Sequence, residues 1–230
     1  MKITWLGHAS FRIEIEDQVL LLDPWLEGNP SFPDDKRAEV LQGVTAILLT
    51  HGHGDHASEV RGIAEETGAP ICCIFDLANF WEQTEDANVT GFNKGGTIAL
   101  GDVEVTMVNA VHSSSMPGED RLTYAGAEAG FMISGEGHTI YATGDTDIMA
   151  DMAWMGEYHA PDIGILCCGG HFTMDMDRAA WAARKYFDFK VVLPCHYGTF
   201  GLLAQSAEPL RTALPGVDVK LPEVMESVTI

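Results

Sequence analysis

Residues 51–56 read His51-Gly52-His53-Gly54-Asp55-His56, and this stretch limits what the chain can fold into more than any other. Three imidazoles and one carboxylate fall within six residues, and ligands packed that closely require a cation. Imidazole suits zinc, iron, copper and nickel, whereas a carboxylate suits harder ions, so the mixture points to zinc, iron(II) or manganese. The two glycines let the backbone turn tightly, so that side chains one and two apart can converge. The preceding Ala46-Ile47-Leu48-Leu49-Thr50 reads as a buried strand. A helix-like stretch follows from Ala57. The ligands therefore sit on a turn at the C-terminal end of a strand, where open α/β sheets place their sites.

The rest of the chain alternates in the same way. Residues 2–23 read as a meander, with strands over 3–6, 11–15 and 19–23 and the last stopped by Asp23-Pro24-Trp25. Residues 26–37 read as a loop, 58–67 as a helix ending at Gly68, 70–74 as a strand and 77–85 as a helix. A hairpin is expected over 97–100 and 103–108, a polar mobile loop over 113–128, and a second hairpin over 129–134 and 139–142. Then come a buried strand at 163–167, an alanine-rich helix at 177–187, a strand at 190–193 and a final helix at 203–214. Short strands close the chain. No repeat of 20–50 residues is seen, and 230 residues suffice for one domain with an ample core. Patterning alone supports α/β or α+β, with residues 1–230 as a single domain.

Four polar residues each follow an apolar strand directly: His112, Asp145, His171 and His196. Strand ends on one edge of a sandwich converge, and these would converge on the 51–56 turn. His138 and His159 lack that context and read as surface residues, and Asp147 as a cap or turn residue. Ahead of the alanine-rich helix, Thr173 or Asp175 is the expected N-cap.

His-x-His-x-Asp-His after an apolar strand resembles the signature of the metallo-β-lactamase superfamily. The start Trp5-Leu6-Gly7-His8-Ala9-Ser10-Phe11, with Gly169-Gly170-His171-Phe172-Thr173-Met174 and His196-Tyr197-Gly198-Thr199-Phe200, resembles one branch of it, the small metal-dependent hydrolases related to ascorbate-6-phosphate lactonase. The resemblance covers nearly the whole chain. It implies a four-layer αββα sandwich. It also implies that His51, His53 and His112 ligate a first metal, that Asp55, His56 and His196 ligate a second, and that Asp145 bridges them. The cofactors implied are two divalent ions, zinc first, with manganese or iron(II) as alternatives. A hydroxide held between two such ions is a nucleophile at neutral pH. Asp55 would then also orient the reaction or accept a proton. His8 would be a flap residue touching substrate. His171 resembles the His-x-Thr element of RNase Z-type phosphodiesterases and would act on the leaving group.

The function expected is hydrolysis of a small ester, lactone or phosphoester. An RNase Z-like nuclease and a non-hydrolytic metal-binding protein are the alternatives. The net charge of −21, from 13 basic against 34 acidic side chains, repels phosphate backbones and makes nucleic acid an unlikely partner. The partner expected is a small-molecule substrate, with room for an oligomer. No apolar run approaches membrane-spanning length and no signal segment opens the chain, so a cytoplasmic protein is expected. Cys72-Cys73, Cys167-Cys168 and Cys195 form no disulfide framework, which fits a reducing compartment.

Overall fold

The computed structural model describes residues 1–85, 87–118 and 120–230. The chain opens with β1 (Lys2–Trp5), β2 (Phe11–Ile15) and β3 (Gln18–Leu22). A 3-10 turn at Asp34–Lys36 and helix α1 (Arg37–Leu41) occupy the end of the expected loop and lead into β4 (Ala46–Leu48). The metal motif comes next and carries α2 (Gly54–Ala57), followed by α3 (Val60–Thr67), β5 (Ile71–Ile74), α4 (Phe75–Glu85) and β6 (Val89–Phe92). The second half starts with β7 (Thr97–Leu100), β8 (Val103–Asn109), β9 (Ser115–Pro117) and β10 (Leu122–Tyr124). It continues with β11 (Ala129–Gly135), β12 (His138–Ala142), α5 (Met152–His159), β13 (Ile163–Cys167) and α6 (Met176–Tyr186). The chain finishes with β14 (Val191–Cys195), α7 (Glu208–Ala213), β15 (Asp218–Val219) and β16 (Ser227–Thr229).

The strands form two seven-stranded sheets, ordered β16-β1-β2-β3-β4-β5-β6 and β15-β14-β13-β12-β11-β8-β7. Each is antiparallel on one side and parallel on the other. The inner strands are apolar throughout because both of their faces are covered. The sheets meet face to face, with Phe92 stacked on Phe131 at 6.1 Å between ring centroids. Helices α3 and α4 lie against β5 and β6, while α5, α6 and α7 pack on one another beside the other sheet. This is the αββα sandwich. At one end the β2–β3 and β11–β12 turns clasp each other, Glu16 N–H donating to Glu136 Oε1 at 2.7 Å and Glu136 N–H to Glu16 Oε1 at 2.5 Å. The opposite end holds the metal motif. Burial of side chains such as Phe131, Ile13 and Leu20 contributes roughly 1.5–3 kcal/mol each. That core offsets the cost of burying His8, Asp23, His51, His56, Asp145 and His196 at the far edge.

Several local expectations are corrected. Residues 113–128 are not all loop, because β9 and β10 pair antiparallel, Met116 opposite Thr123; residue 119 lies outside the described residues. Helix α5 carries no sequence signal strong enough to read: Met152 and Met155 are buried, yet Trp154 and Tyr158 on the other side are exposed aromatics, so its apolar pattern has no single face. Strand β14 runs through Pro194 to Cys195 instead of stopping before it. β15 covers only Val191 and Val192, so Pro194 lies at an edge, where a missing N–H is tolerated. The last helix begins at Glu208 with a proline in its first turn, a position that suits proline's fixed φ, and not at 203. Of the two residues expected to cap the alanine-rich helix, Asp175 does so, accepting from Arg178 N–H at 2.8 Å. No helix among the described residues is long and apolar enough to cross a membrane.

Candidate metal centre

The C-terminal ends of β4, β8, β12 and β14 deliver His51–His56, His112, Asp145 and His196 to one edge of the sandwich. Ligand atoms of His51, His53 and His112 lie within 4.8 Å of one another, and so do those of His8, Asp55, His56 and His196. Asp145 stands between the two sets. Its Oδ2 is 3.6 Å from His112 Nε2 and 3.9 Å from His51 Nε2. On the other side Oδ2 is 3.0 Å from His196 Nε2, and Oδ1 is 3.5 Å from His56 Nε2.

A second layer fixes the imidazoles. Asp23, read from sequence only as a strand stop, is its hub. Parallel pairing of β3 with β4 sets Leu22 beside Leu48, which leaves Asp23 alongside the start of the metal motif. Asp23 Oδ1 accepts from Thr50 N–H at 2.8 Å, and Oδ2 accepts from the Thr50 hydroxyl at 2.6 Å and from His56 Nδ1–H at 2.8 Å. The Thr50 hydroxyl has spent its one proton on Asp23, so it accepts from His51 Nδ1–H at 3.0 Å. Both histidines therefore present Nε2 to the site, the arrangement in which outer partners set a metal ligand's tautomer. No local pattern marks Asp23; the only signal for it was an acid at the end of a strand neighbouring the motif.

His8, expected as a flap residue, is fully buried. Its backbone, at φ 52°, turns the β1–β2 hairpin under the site, and its carbonyl accepts from His196 N–H at 3.0 Å and Trp5 Nε1–H at 3.1 Å. Its Nε2–H donates to Asp55 Oδ2 at 3.0 Å and its Nδ1 meets the Thr199 hydroxyl at 3.0 Å. So placed, it is bonded to Asp55 from within the fold.

The electrostatics follow from burial and mutual charge. Burial lowers the His51 imidazole far below its usual range and lowers His53 and His112 too, which keeps their lone pairs available. Burial likewise takes His8 down to about 4, against the Asp55 hydrogen bond that raises it. Burial pushes the Asp55 carboxyl up, but the His8 hydrogen bond and nearby imidazoles outweigh it and hold the group well below the carboxylate range. Asp145 behaves alike, with His56 and His196 overcoming burial. For His56 burial lowers the value, yet Asp145 and Asp23 raise it well above the imidazole range. A cation taking His56 Nε2 must expel that proton, so affinity falls as pH falls.

These residues fit divalent cations. Among the ligand atoms facing the centre, His56 Nε2 and Asp145 Oδ1 are buried without a hydrogen-bond partner, a state that costs free energy unless something else satisfies them. The mixture of imidazole and carboxylate donors suits zinc first, then iron(II) or manganese. Above them opens a cavity of about 650 Å³, walled by Trp25, His53, Asp55, His112, Phe172 and Phe200. The aromatic walls Trp25, Phe172 and Phe200 were not anticipated. His171 is not gathered with the ligand atoms. It is exposed, has a φ of 57°, and turns its ring edge-on to Phe172, next to the cavity wall. His138 opens β12, where it bonds Asp162 at 2.6 Å, and His159 lies in the last turn of α5. Neither takes part in the cluster.

A family model described as a beta-lactamase superfamily domain matches residues 2–196. The chain is 64% identical to a UPF0173 metal-dependent hydrolase of Paracoccus denitrificans and 63% identical to one of Dinoroseobacter shibae, each match covering 100% of both chains. Among solved structures it is similar to Igni18, a metallo hydrolase from the archaeon Ignicoccus hospitalis, with TM-score 0.87 and 28% identity over 99% of this chain and 97% of that one.

Proposed function

The chain belongs to the beta-lactamase superfamily domain family, and from that premise we propose that it is a metal-dependent hydrolase with a dinuclear centre, acting on a small ester, lactone or phosphoester. The position of Asp145 carries this reading, because its carboxylate reaches His51 and His112 on one side and His56 and His196 on the other. His51, His53 and His112 would hold one ion, Asp55, His56 and His196 the other, and Asp145 both. Such ions, zinc by preference and manganese or iron(II) otherwise, supply Lewis acidity that polarises the substrate oxygen and acidifies the attacking water.

The chain's own residues do the rest. Asp55, held ionised by His8, orients groups at the floor of the cavity. Trp25, Phe172 and Phe200 exclude water from one side. His171 stands beside Phe172 at the cavity wall, and its role is to give a proton to the leaving oxygen from the open side. The acidic surface opposes a nucleic-acid substrate, and five free buried cysteines fit a cytoplasmic setting.

Elemental analysis of metal-loaded protein tests the centre. About two ions per chain are expected, following the two-metal pattern. His112→Ala is expected to weaken the first set selectively and His196→Ala the second. Wild-type protein that never exceeds one ion would rule out the dinuclear reading.

The His171 role has its own measurement. His171→Ala is expected to lower kcat about 10²-fold on alkyl esters, the lower end for a lost general acid, with metal content unchanged. Nitrophenolate needs no proton to leave, so the loss should shrink with nitrophenyl esters. An alkyl-ester rate within threefold of wild type would remove His171 from the reaction.

A further inference from the structure

A second cavity of about 640 Å³ lies beside the first. The two share Gly54 and Ser58 as lining, so they are two rooms with a common sill directly beside Asp55. Each falls in the range of small-molecule pockets. The second is bounded by the apolar Phe80, Trp81, Met116 and Pro117 together with the polar Ser58, Arg61 and Thr123, the Arg61 guanidinium lying 6.0 Å from the centroid of the Trp81 ring. Phe80 keeps 40% of its surface exposed there. Met116 is an adaptable side chain suited to apolar guests of varied shape.

Gly54 adds an independent observation. Its φ lies outside the left-handed region, so the tight turn expected of it does not require glycine. A Cβ there would meet nothing within 4 Å, so packing does not demand it either. What its missing side chain leaves open is the sill between the two cavities. Gly52, two residues earlier, is different, since a Cβ there would lie 2.3 Å from Ala125 Cβ.

We propose that the second cavity is a substrate subsite: it receives the alkyl or aromatic portion of an ester, lactone or phosphoester whose scissile bond lies over Asp145, with the chain of the substrate crossing Gly54. This inference rests on the hydrolase reading above and narrows its substrate to molecules with an apolar arm.

The test is a length series. Metal-loaded protein is assayed on 4-nitrophenyl esters from acetate to octanoate. Wild-type kcat/KM is expected to rise about threefold per methylene over the first several, as for carbons moved from water into an apolar site. Gly54→Leu, which blocks the sill, and Phe80→Ala, which removes a wall, are expected to cut the octanoate-to-acetate ratio about tenfold or more. A second arm needs no turnover: calorimetry of octylphosphonate against methylphosphonate binding, with circular dichroism to confirm that each variant is folded. Octylphosphonate is expected to bind wild type at least about 30-fold more tightly, an advantage both variants reduce. A ratio that is flat in wild type, or unmoved in both variants, overturns the subsite. If no ester is turned over with any metal, the hydrolase reading fails on these esters, and the phosphonate arm decides the subsite alone. Chain-length-dependent binding lost in the variants supports it, and equal binding of the two phosphonates overturns it.

Discussion

Asp145→Asn is expected to lower kcat/KM by about 10³-fold or more, a loss of roughly 4 kcal/mol of transition-state stabilisation, while the circular dichroism of the protein stays that of wild type. Asparagine keeps the shape of the side chain and removes its charge. That charge faces four imidazoles at 3.0–3.9 Å, two from each ligand set. Asp23 also lies near His51 and His56, but its carboxylate is already engaged by Thr50 and by His56 Nδ1–H, so it is not placed to take over. Metal content should fall below that of wild type in the same preparation, because both sets lose a shared anionic donor. The fold should survive because Asp145 lies beyond the end of β12 and outside the apolar core. His56, released from one of its two carboxylates, still donates to Asp23 and is expected to give up its proton more readily. Turnover within tenfold of wild type at full metal content would show that Asp145 is not the shared ligand.

Asp145, His112 and His196 were legible because each follows an apolar strand within three residues, and a strand's period and the polar residues after it are local signals. The 51–56 motif was legible for the same reason and for its density of ligands. Asp23 and Thr50 were not, because their roles come from strand register. Only the parallel pairing of Leu22 with Leu48 brings Asp23 to Thr50 and His56. His8 was visible as a turn histidine, but its burial was not. Which way that turn faces depends on docking of the β1–β2 hairpin against the end of β14, through the His196 N–H bond to the His8 carbonyl. That bond spans nearly the whole chain, and no local pattern encodes it. The two sheets were readable as alternating strands, whereas β9 and β10 are only three residues each and their Leu122 and Tyr124 stay exposed, so no buried face announces them.

The same bond network makes a glycine after β13 the most sensitive small residue near the centre. Gly169→Ala is expected to lower stability by about 3 kcal/mol, or roughly 6–12 °C in Tm for a chain of this size, and to reduce both metal content and rate. A Cβ at position 169 would lie 1.8 Å from the His196 carbonyl oxygen and 2.9 Å from its carbon. Those atoms belong to backbone and cannot swing aside as a side-chain end would. The segments on both sides are held: Cys168 N–H donates to the Cys195 carbonyl at 3.1 Å and His196 N–H to the His8 carbonyl at 3.0 Å, while Ala204 N–H donates to the Gly169 carbonyl at 2.9 Å. Relief therefore requires His196 to move, and with it the Nε2 that stands 3.0 Å from Asp145. Gly62→Ala is the matched control. It adds the same methyl group within α3, where nothing lies within 4 Å of the new Cβ, and is expected to raise stability by up to about 1 kcal/mol. Thermal denaturation and elemental analysis of the two variants read the difference. A Gly169→Ala protein with wild-type Tm and wild-type metal content would mean that the ends of β13 and β14 can separate without disturbing His196.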